Sequence, residues 1–263
     1  MALLNISLLQ MDIAPGLPEV NRTKATEMID KVMGSQCNTD ILVLPEMWTT
    51  AYELAKIKEI CDLDGMPTSA LISEAARSRQ VNIVAGSYAS QKEGKVYNTA
   101  YVFDRMGNNI AKYEKIHLFK LMQEHQYMEA GQTHCIFELE GVKCGIIICY
   151  DLRFPELTRK LALQGIKLLF VPAQWPSARL EHWTTLLKAR AIENQIFVAA
   201  VNRAGRSAQD EFAGGSMIIS PWGEILAQAD YKEQILSAEL DLDLIRQART
   251  KIDIIGDRVP SSY

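Results

Sequence analysis

The sequence predicts an α/β protein, and three observations lead to that class. Its apolar runs are of strand length, and longer stretches with apolar residues near helical spacing separate them. The same order of elements recurs in the second half of the chain. The chain has 263 residues, 48% hydrophobic and 23% charged, and can bury a sizeable core without disulfides. No Ser/Gly-rich linker separates the halves, so we predict one domain over residues 1–263 with two similar halves.

In the first half, residues 3–10 predict a strand and residues 19–33 a helix, which Pro18 introduces. Residues 106–108 predict the turn between the last two strands of this half. The other predicted elements are a strand at 41–45, a helix at 68–79 and strands at 81–88, 96–103 and 110–113.

The second half opens with a predicted hairpin, in which strands 133–139 and 142–150 meet at Glu140-Gly141. Helices follow at 154–164, 179–194 and 242–250, and strands at 167–171, 196–201, 213–219, 224–229 and 234–239. This order permits two sheets packed face to face with helices outside, or a single doubly wound sheet.

Composition excludes several classes of function. The formal charge is −4 and no basic stripe is present, which argues against a nucleic-acid partner. The apolar runs are far shorter than a membrane span. Five cysteines, an odd number, indicate reduced thiols and a cytoplasmic location. The sequence has no Cys-x-x-Cys and its four histidines are scattered, so we expect no metal site.

Three motifs place a reactive side chain at or near the end of an apolar strand. Glu46 follows the apolar residues 41–45, Lys115 lies after strand 110–113, and Cys149 ends the run 145–149. A strand that turns into a helix can lift a nucleophile out of a sheet and surround it with backbone N–H groups. Taken alone, each residue has a simpler interpretation: a solvated glutamate, a surface lysine and an inert core thiol.

Together these motifs resemble the carbon–nitrogen hydrolase (nitrilase) superfamily. The matching blocks, in order, are residues 44–46, 114–119, 149–156, 173–176, 189–195 and 214–217. The resemblance implies an α-β-β-α sandwich and a Glu46-Lys115-Cys149 triad. Cys37, Cys61, Cys135 and Cys144 are interpreted as bystanders. If Cys144 and Cys149 share one strand, their spacing places them on opposite faces.

The triad suits amide hydrolysis, which needs an activated thiol and a stabilised oxyanion. We assign Glu46 as the general base, with a pKa raised by its apolar surroundings and lowered by Lys115. Lys115 and the backbone N–H of Tyr150 would stabilise the oxyanion, and Cys149 would form a thioester that water hydrolyses, with no cofactor. Family members carry a second glutamate near the position of Glu124, which orients the lysine; a solvated loop carboxylate is the alternative.

The sequence looks most like the omega-amidase branch, which hydrolyses the terminal amide of short 2-oxo acids such as 2-oxoglutaramate and 2-oxosuccinamate. Such a substrate carries a carboxylate, for which Arg153, Arg179 and Tyr52 are candidate ligands, with Trp175 as an apolar wall. Arg153 could instead pair with a nearby acid (Asp151 or Glu156), and Arg179 could be a surface residue.

Other assignments stay open. A related enzyme could hydrolyse deaminated glutathione or N-carbamoyl amino acids with the same triad, and a non-enzymatic binding protein is the remaining class. His117 is interpreted as a packed structural histidine. Family members pair through the helices predicted at 154–164 and 179–194. We therefore expect a homodimer, with the tail at 241–263 packing on the partner.

Overall fold

Two β-sheets pack face to face and helices cover their outer faces. This arrangement is seen in the computed structural model, which describes residues 3–35, 38–207 and 210–262. The architecture is the α-β-β-α sandwich implied by the family resemblance, and the alternative of one doubly wound sheet is wrong.

The first half of the chain supplies most of one sheet and two long helices. Its elements are β1 (Leu3–Gln10), α1 (Pro18–Met33), β2 (Ile41–Val43), α2 (Ile57–Ile60), β3 (Asp62–Leu63), α3 (Thr68–Arg79), β4 (Asn82–Lys92), β5 (Lys95–Phe103), β6 (Asn109–Glu114) and α4 (Glu124–Tyr127).

The second half supplies the other sheet and three further helices. Its elements are β7 (Cys135–Leu139), β8 (Val142–Ile146), α5 (Pro155–Leu163), β9 (Leu168–Ala173), α6 (Leu180–Asn194), β10 (Phe197–Asn202), β11 (Ala204–Arg206), β12 (Glu211–Ala213), β13 (Met217–Ile219), β14 (Ile225–Gln228), β15 (Gln234–Asp241) and α7 (Asp243–Lys251).

The two sheets share one plan, in which three parallel strands form the centre and antiparallel strands the edges. The first has the order β15-β1-β2-β4-β5-β6, with β1, β2 and β4 parallel and β3 beside β4. The second has the order β14-β13-β10-β9-β8-β7, with β8, β9 and β10 parallel. Parallel strands bury both faces, which explains their nearly continuous apolar sequences.

Consecutive residues of β1 show how the layers are built. Leu8 packs into the core between the sheets, and Leu9 points to the other face, where it meets Ile29 of α1. All three side chains are fully buried. Successive strand side chains point to opposite faces, so one strand contributes to both apolar layers.

Two predicted strands have clearly different bounds in the structure, and one strand pairs in a place that no sequence pattern indicated. The strand predicted at 142–150 ends at Ile146, and a short 3₁₀ turn, Cys149–Arg153, follows. The strand predicted at 213–219 is interrupted by Gly214 and Gly215, which both have positive φ. The last strand, β15, joins the first sheet beside β1 and not the second.

Helix α1, with 16 residues, is shorter than a typical membrane span. Over the described ranges, no helix is long and apolar enough to cross a bilayer.

Candidate active site

The three predicted residues lie just beyond the carboxyl ends of three strands. Glu46 follows β2, Lys115 follows β6 directly, and Cys149 follows β8. β2 and β6 belong to one sheet and β8 to the other, so the residues meet where the two sheets face each other. The side chains of Glu46 and Lys115 are fully buried, and Cys149 is 7% exposed.

Glu46 is held by donors on both carboxylate oxygens. Its Oε1 accepts hydrogen bonds from the Tyr52 hydroxyl at 2.6 Å, Asn98 Nδ2 at 2.9 Å and Lys115 Nζ at 2.9 Å. Its Oε2 accepts the backbone N–H of Gln174 at 2.8 Å. These four hydrogen bonds compensate the free-energy cost of burying the Glu46 charge, and they fix the orientation of the carboxylate.

A glycine in the neighbouring strand leaves room for the backbone that carries Glu46. Gly86, in β4, has φ +58°, and a Cβ there would lie 2.0 Å from the carbonyl oxygen of Pro45. The strand register also shifts between Val84 and Ser87. A larger residue at position 86 would therefore push away the backbone that carries Glu46.

Lys115 joins two glutamates. Its Nζ donates to Glu46 Oε1 at 2.9 Å, Glu124 Oε2 at 2.8 Å and the Tyr52 hydroxyl at 3.1 Å. Glu124 is fully buried and also accepts the backbone N–H of Phe119 at 2.7 Å. The solvated-loop alternative for Glu124 is therefore wrong, because this carboxylate is a direct partner of the lysine.

Cys149 opens the 3₁₀ turn in a strained backbone conformation, with φ +45°. Such strain persists where the surroundings hold it. Asp151 supplies that support: its carboxylate accepts the Ile148 N–H at 2.9 Å, the Tyr113 hydroxyl at 2.7 Å and the His117 N–H at 3.0 Å. One buried acid thus ties the cysteine turn to residues on either side of Lys115.

The charges of the trio follow from their surroundings. Burial alone would raise the pKa of Glu46, but the Lys115 ammonium and the hydrogen bonds from Tyr52 and Gln174 lower it overall. Burial opposes the charge of Lys115, yet Glu124 and Glu46 raise the pKa of Lys115 above its ordinary value. Burial, and then the Glu46 charge, raise the pKa of Cys149 well above its ordinary value.

At neutral pH these directions give a carboxylate, an ammonium and a neutral thiol. The expectation that the pKa of Glu46 is raised is wrong, since burial is outweighed by its donors. An ionised acid beside a protonated thiol is the starting state that a general base requires. The thiol hydrogen-bonds to the Gln174 carbonyl at 3.9 Å, and Glu46 accepts the N–H of the same residue.

Beside the thiol lies a pocket with two cationic side chains. Arg153 stacks over the Trp175 ring with its guanidinium carbon 4.5 Å from the ring centroid, and Arg179 lies 5.6 Å from the Phe119 ring. All four residues line this pocket together with Cys149. Burial and then the charge of Arg179 lower the pKa of Arg153. Neither arginine forms an ion pair with any acid in the described ranges.

Comparison with known proteins shows the family of the chain. The sequence profile of the carbon-nitrogen hydrolase family matches residues 5–250. The chain belongs to the carbon-nitrogen hydrolase family. It is 48% identical over 252 residues to the 2-oxoglutaramate amidase of Bacillus subtilis, covering 96% of each chain. It is 32% identical to an omega-amidase of Xenopus laevis, covering 100% of this chain and 98% of that one.

Solved structures agree with this assignment. A carbon-nitrogen hydrolase superfamily protein of Xanthomonas campestris superimposes with a TM-score of 0.90 at 29% identity, covering 98% of each chain. The chain is therefore a hydrolase of carbon–nitrogen bonds other than peptide bonds, in the omega-amidase branch of the superfamily.

Within this family site, some predicted residues have other contacts than expected. The Tyr52 hydroxyl donates to Glu46, and its pKa is raised by burial and by the charges of Glu124 and Glu46. A hydroxyl facing two carboxylates would not attract a third, so its contacts do not support carboxylate binding. Arg153 pairs with neither proposed acid and lies 3.4 Å from His182 Nδ1.

Trp175 and His117 have the surroundings that were predicted for them. The Trp175 ring lines the pocket, and its Nε1 donates to the Arg179 carbonyl at 2.7 Å. The His117 ring stacks on Phe154 at 3.6 Å, with its Nδ1 2.7 Å from Asp151 Oδ1. The N–H of Tyr150 belongs to the first turn of a helical segment, where N–H groups lack partners within the helix.

The remaining cysteines lie apart from the triad's hydrogen bonds. Cys61 and Cys135 are half-buried, Cys144 is fully buried in β8, and all are free thiols. Cys144 and Cys149 do not share one strand, because β8 ends at Ile146. Cys37 lies outside the described residues. Within those residues, no cluster of three or more His, Cys, Asp or Glu could hold a metal ion.

Sequence reasoning missed three residues of the site: Asn98, Asp151 and Gln174. Asn98 donates to both Glu46 and Glu124, at 2.9 Å and 3.0 Å. It lies inside β5, and its surroundings come from other strands. Asp151 and Gln174 stood in matched blocks, which was the only available signal.

Proposed function

We propose that this protein releases ammonia from the terminal amide of small 2-oxo acids, with 2-oxoglutaramate as the first candidate and 2-oxosuccinamate as a shorter one. The observation that carries this proposal is the pair of arginines that line the pocket of Cys149 and have no acidic partner among the residues that the structure describes. Two guanidinium groups favour a carboxylate ligand, which can accept several charge-assisted hydrogen bonds. The names of the relatives from Bacillus subtilis and Xenopus laevis point to the same substrate class.

In the first half of the reaction, Cys149 Sγ attacks the amide carbon while Glu46 takes the thiol proton. The resulting oxyanion is stabilised by the Lys115 charge and the Tyr150 N–H. As the tetrahedral species collapses, the C–N bond breaks and Glu46 passes its proton to the nitrogen. Ammonia leaves, and the acyl group remains on Cys149 as a thioester.

In the second half, water attacks the thioester and gives a proton to Glu46. The C–S bond then breaks, the proton returns to sulfur, and the 2-oxo dicarboxylic acid leaves. The sum is amide plus water giving acid plus ammonia. Glu46 serves each step as an acceptor and then as a donor.

Lys115 contributes mainly through its charge in this scheme. Its three N–H groups are already bound to Glu46, Glu124 and Tyr52. Direct donation to the oxyanion therefore requires the release of one of them. The contact with Tyr52 is the longest, at 3.1 Å, and involves no ionised partner. We assign Tyr52 as the acceptor that gives way.

The test is a panel assay of ammonia release. It uses 2-oxoglutaramate, 2-oxosuccinamate, an uncharged amide of similar length, a nitrile, deaminated glutathione and an N-carbamoyl amino acid. We expect the two 2-oxo acid amides to have the highest kcat/KM. A preference for nitriles or carbamoyl compounds would contradict the substrate and leave the triad standing. Cys149→Ala is the inactive control.

A second measurement tests the covalent step. Acid quenching during turnover, followed by mass spectrometry, should find the acyl group on the peptide that contains Cys149. An adduct-free protein throughout a single-turnover reaction, under conditions that preserve a reference thioester, would contradict the thioester.

We also propose a homodimer. Leu163 at the end of α5 and Ile192 in α6 are 43% and 45% exposed, and Ile252 and Val259 in the tail are 51% and 53% exposed. Trp183, by contrast, is fully buried in the protein's own core. Sedimentation should give twice the chain mass of 29.5 kDa, and a species of 29.5 kDa alone would contradict the dimer. A cytoplasmic location stays a prediction from the cysteine count, which cell fractionation would test.

A further inference from the structure

Arg203 is a buried cation directly after β10, and its surroundings are unusual. It is fully buried and stacks on the Phe212 ring at 4.4 Å. Its NH2 group donates to the carbonyl of Ile13 at 2.7 Å and that of Arg206 at 3.1 Å. No carboxylate forms an ion pair with it in the part of the chain that the structure describes. Burial lowers the pKa of Arg203 to about 10, with Asp12 and Asp210 acting in the opposite direction, so it is still charged at neutral pH.

A further donor of Arg203 points toward the active site, whereas its Nε has no hydrogen-bond partner among the described residues. Its NH1 group donates to the side-chain oxygen of Gln174 at 3.0 Å. The other end of that side chain, Nε2, donates to the backbone carbonyls of Glu46 at 2.8 Å and Met47 at 3.2 Å. Arg203 thus reaches the backbone of the general base through a single residue.

Chemistry fixes the orientation of this carboxamide. A guanidinium can only donate hydrogen bonds, and a backbone carbonyl can only accept them. The oxygen of Gln174 must therefore face Arg203, and its NH2 group must face the carbonyls of Glu46 and Met47. Without Arg203, the amide could rotate and leave both buried carbonyls without their donor.

Those carbonyls belong to a strained turn. Met47 has φ +45°, a conformation that a residue with a side chain rarely adopts. The main chain of Gln174 is also involved, because its N–H binds Glu46 Oε2 at 2.8 Å and its carbonyl accepts the Cys149 thiol at 3.9 Å. One residue therefore contacts the backbone of the base, the carboxylate of the base and the nucleophile.

We propose that Arg203 is a positioning residue. Through the carboxamide of Gln174, it holds the turn at Glu46-Met47 so that the Glu46 carboxylate faces the Cys149 thiol. The inference rests on the proposed amide hydrolysis, because turnover is its main readout. It predicts that loss of Arg203 impairs proton transfer and not substrate binding.

The experiment compares Arg203→Met, Arg203→Lys, Gln174→Met and the double variant of the two methionines. We expect Arg203→Met to lower kcat about 10- to 100-fold, with KM changed less than about threefold, since misplacement of a base acts on the chemical step. Arg203→Lys, which keeps one donor, should recover part of the loss. The double variant should be no slower than Gln174→Met, because both changes break one chain of contacts.

Two further readouts separate positioning from general stability. A less firmly held Glu46 carboxylate loses part of its N–H support, so the acid limb of kcat/KM should move to higher pH in Arg203→Met. The matched control is Arg206→Gln, which removes a cation three residues away whose side chain is 77% exposed and paired with Glu211. It should leave kcat and the acid limb unchanged.

Clear outcomes would overturn the inference. These are an Arg203→Met enzyme with wild-type kcat and acid limb, or rate losses in the two single variants that multiply in the double variant. If Arg203→Met does not fold, Arg203→Lys and Gln174→Met carry the same comparison. If the wild type releases no ammonia from any amide, the proposed function fails. The pH dependence of Cys149 alkylation by iodoacetamide then tests Arg203 in the same variants.

Discussion

The two ends of the cleft around Cys149 are built in opposite ways. At one end, the Lys115 ammonium is fully buried between the carboxylates of Glu46 and Glu124. At the other end, Arg153 and Arg179 are half-buried, and their charges repel each other. The charged groups of the first end are paired with one another, whereas the two arginines of the second form no ion pair within the described part of the chain. The difference matches two tasks. Catalysis needs reacting groups that are held in place, and substrate recognition needs a charged group that is free to bind the substrate.

Lys115→Met should have the largest effect, because it removes the only cation that pairs with Glu46 and Glu124 in the described part of the chain. Two buried carboxylates would lose their shared cation, and we expect roughly 3–5 kcal/mol less free energy of unfolding. Turnover should fall at least about 10³-fold with the loss of the oxyanion's nearest charge. Urea unfolding and steady-state kinetics measure the two effects.

Its control is Lys112→Met, three residues earlier in β6. Lys112 pairs with Glu114 at 3.0 Å, with 37% and 28% of the two side chains exposed. Exposed pairs of this kind contribute at most about 1 kcal/mol, so turnover should be preserved. Wild-type turnover in Lys115→Met would refute the assigned role.

Arg153→Met tests the other end and should have an intermediate effect. We expect KM for 2-oxoglutaramate to rise about 10- to 100-fold through loss of charge-assisted hydrogen bonds. The uncharged amide of the panel should be affected much less. Steady-state kinetics on both substrates measures this difference.

The matched control is Lys160→Met, which removes an exposed cation from nearby α5. If Arg153→Met raises KM equally for both substrates, the side chain shapes the pocket and does not recognise a carboxylate. Arg179→Met should behave as Arg153→Met does if the two arginines share one ligand.

Changing pH should have the smallest effect over the neutral range. The folded pKa of Glu46 lies below its ordinary 4.5, so its contribution to stability is present above pH 4.5 and is lost as pH falls through the lower value. The pKa of Lys115 lies above its ordinary 10.5, so its contribution is lost only as pH rises beyond that value.

We therefore expect kcat to vary less than about threefold between pH 5.5 and 8. Thermal unfolding followed across pH should show a destabilisation below pH 4.5 that is smaller in Glu46→Gln. An acid limb of kcat near neutrality would contradict the lowered pKa of Glu46.

Sequence patterns identified the three reactive residues of the site, but not the groups that surround them. Glu46, Lys115 and Cys149 could be found because apolar strands lead to them and because they lie in family blocks. The lowered pKa of Glu46 could not be predicted: the Lys115 charge was expected, but the hydrogen bonds from Tyr52 and from the Gln174 N–H, which lower the pKa further, are seen only in the fold. A neutral polar residue gives little indication in sequence of the group that it contacts.

The fold shows the same limit. The bounds predicted for β1 and α3 are confirmed, because their periodicity is local. The place of β15 beside β1 could not be predicted, because pairing between strands far apart in sequence leaves no periodic signal. The single-domain assignment over residues 1–263 stays a prediction.

The pairing of β1 with β15 has a consequence for biosynthesis. The eight residues from Leu3 to Gln10 pair antiparallel with Gln234 to Asp241, so β1 is synthesised long before the strand with which it pairs. Until then, one edge of β1 exposes unpaired backbone that neighbouring nascent chains could bind. During translation, a chaperone that covers this edge of β1 would prevent such contacts.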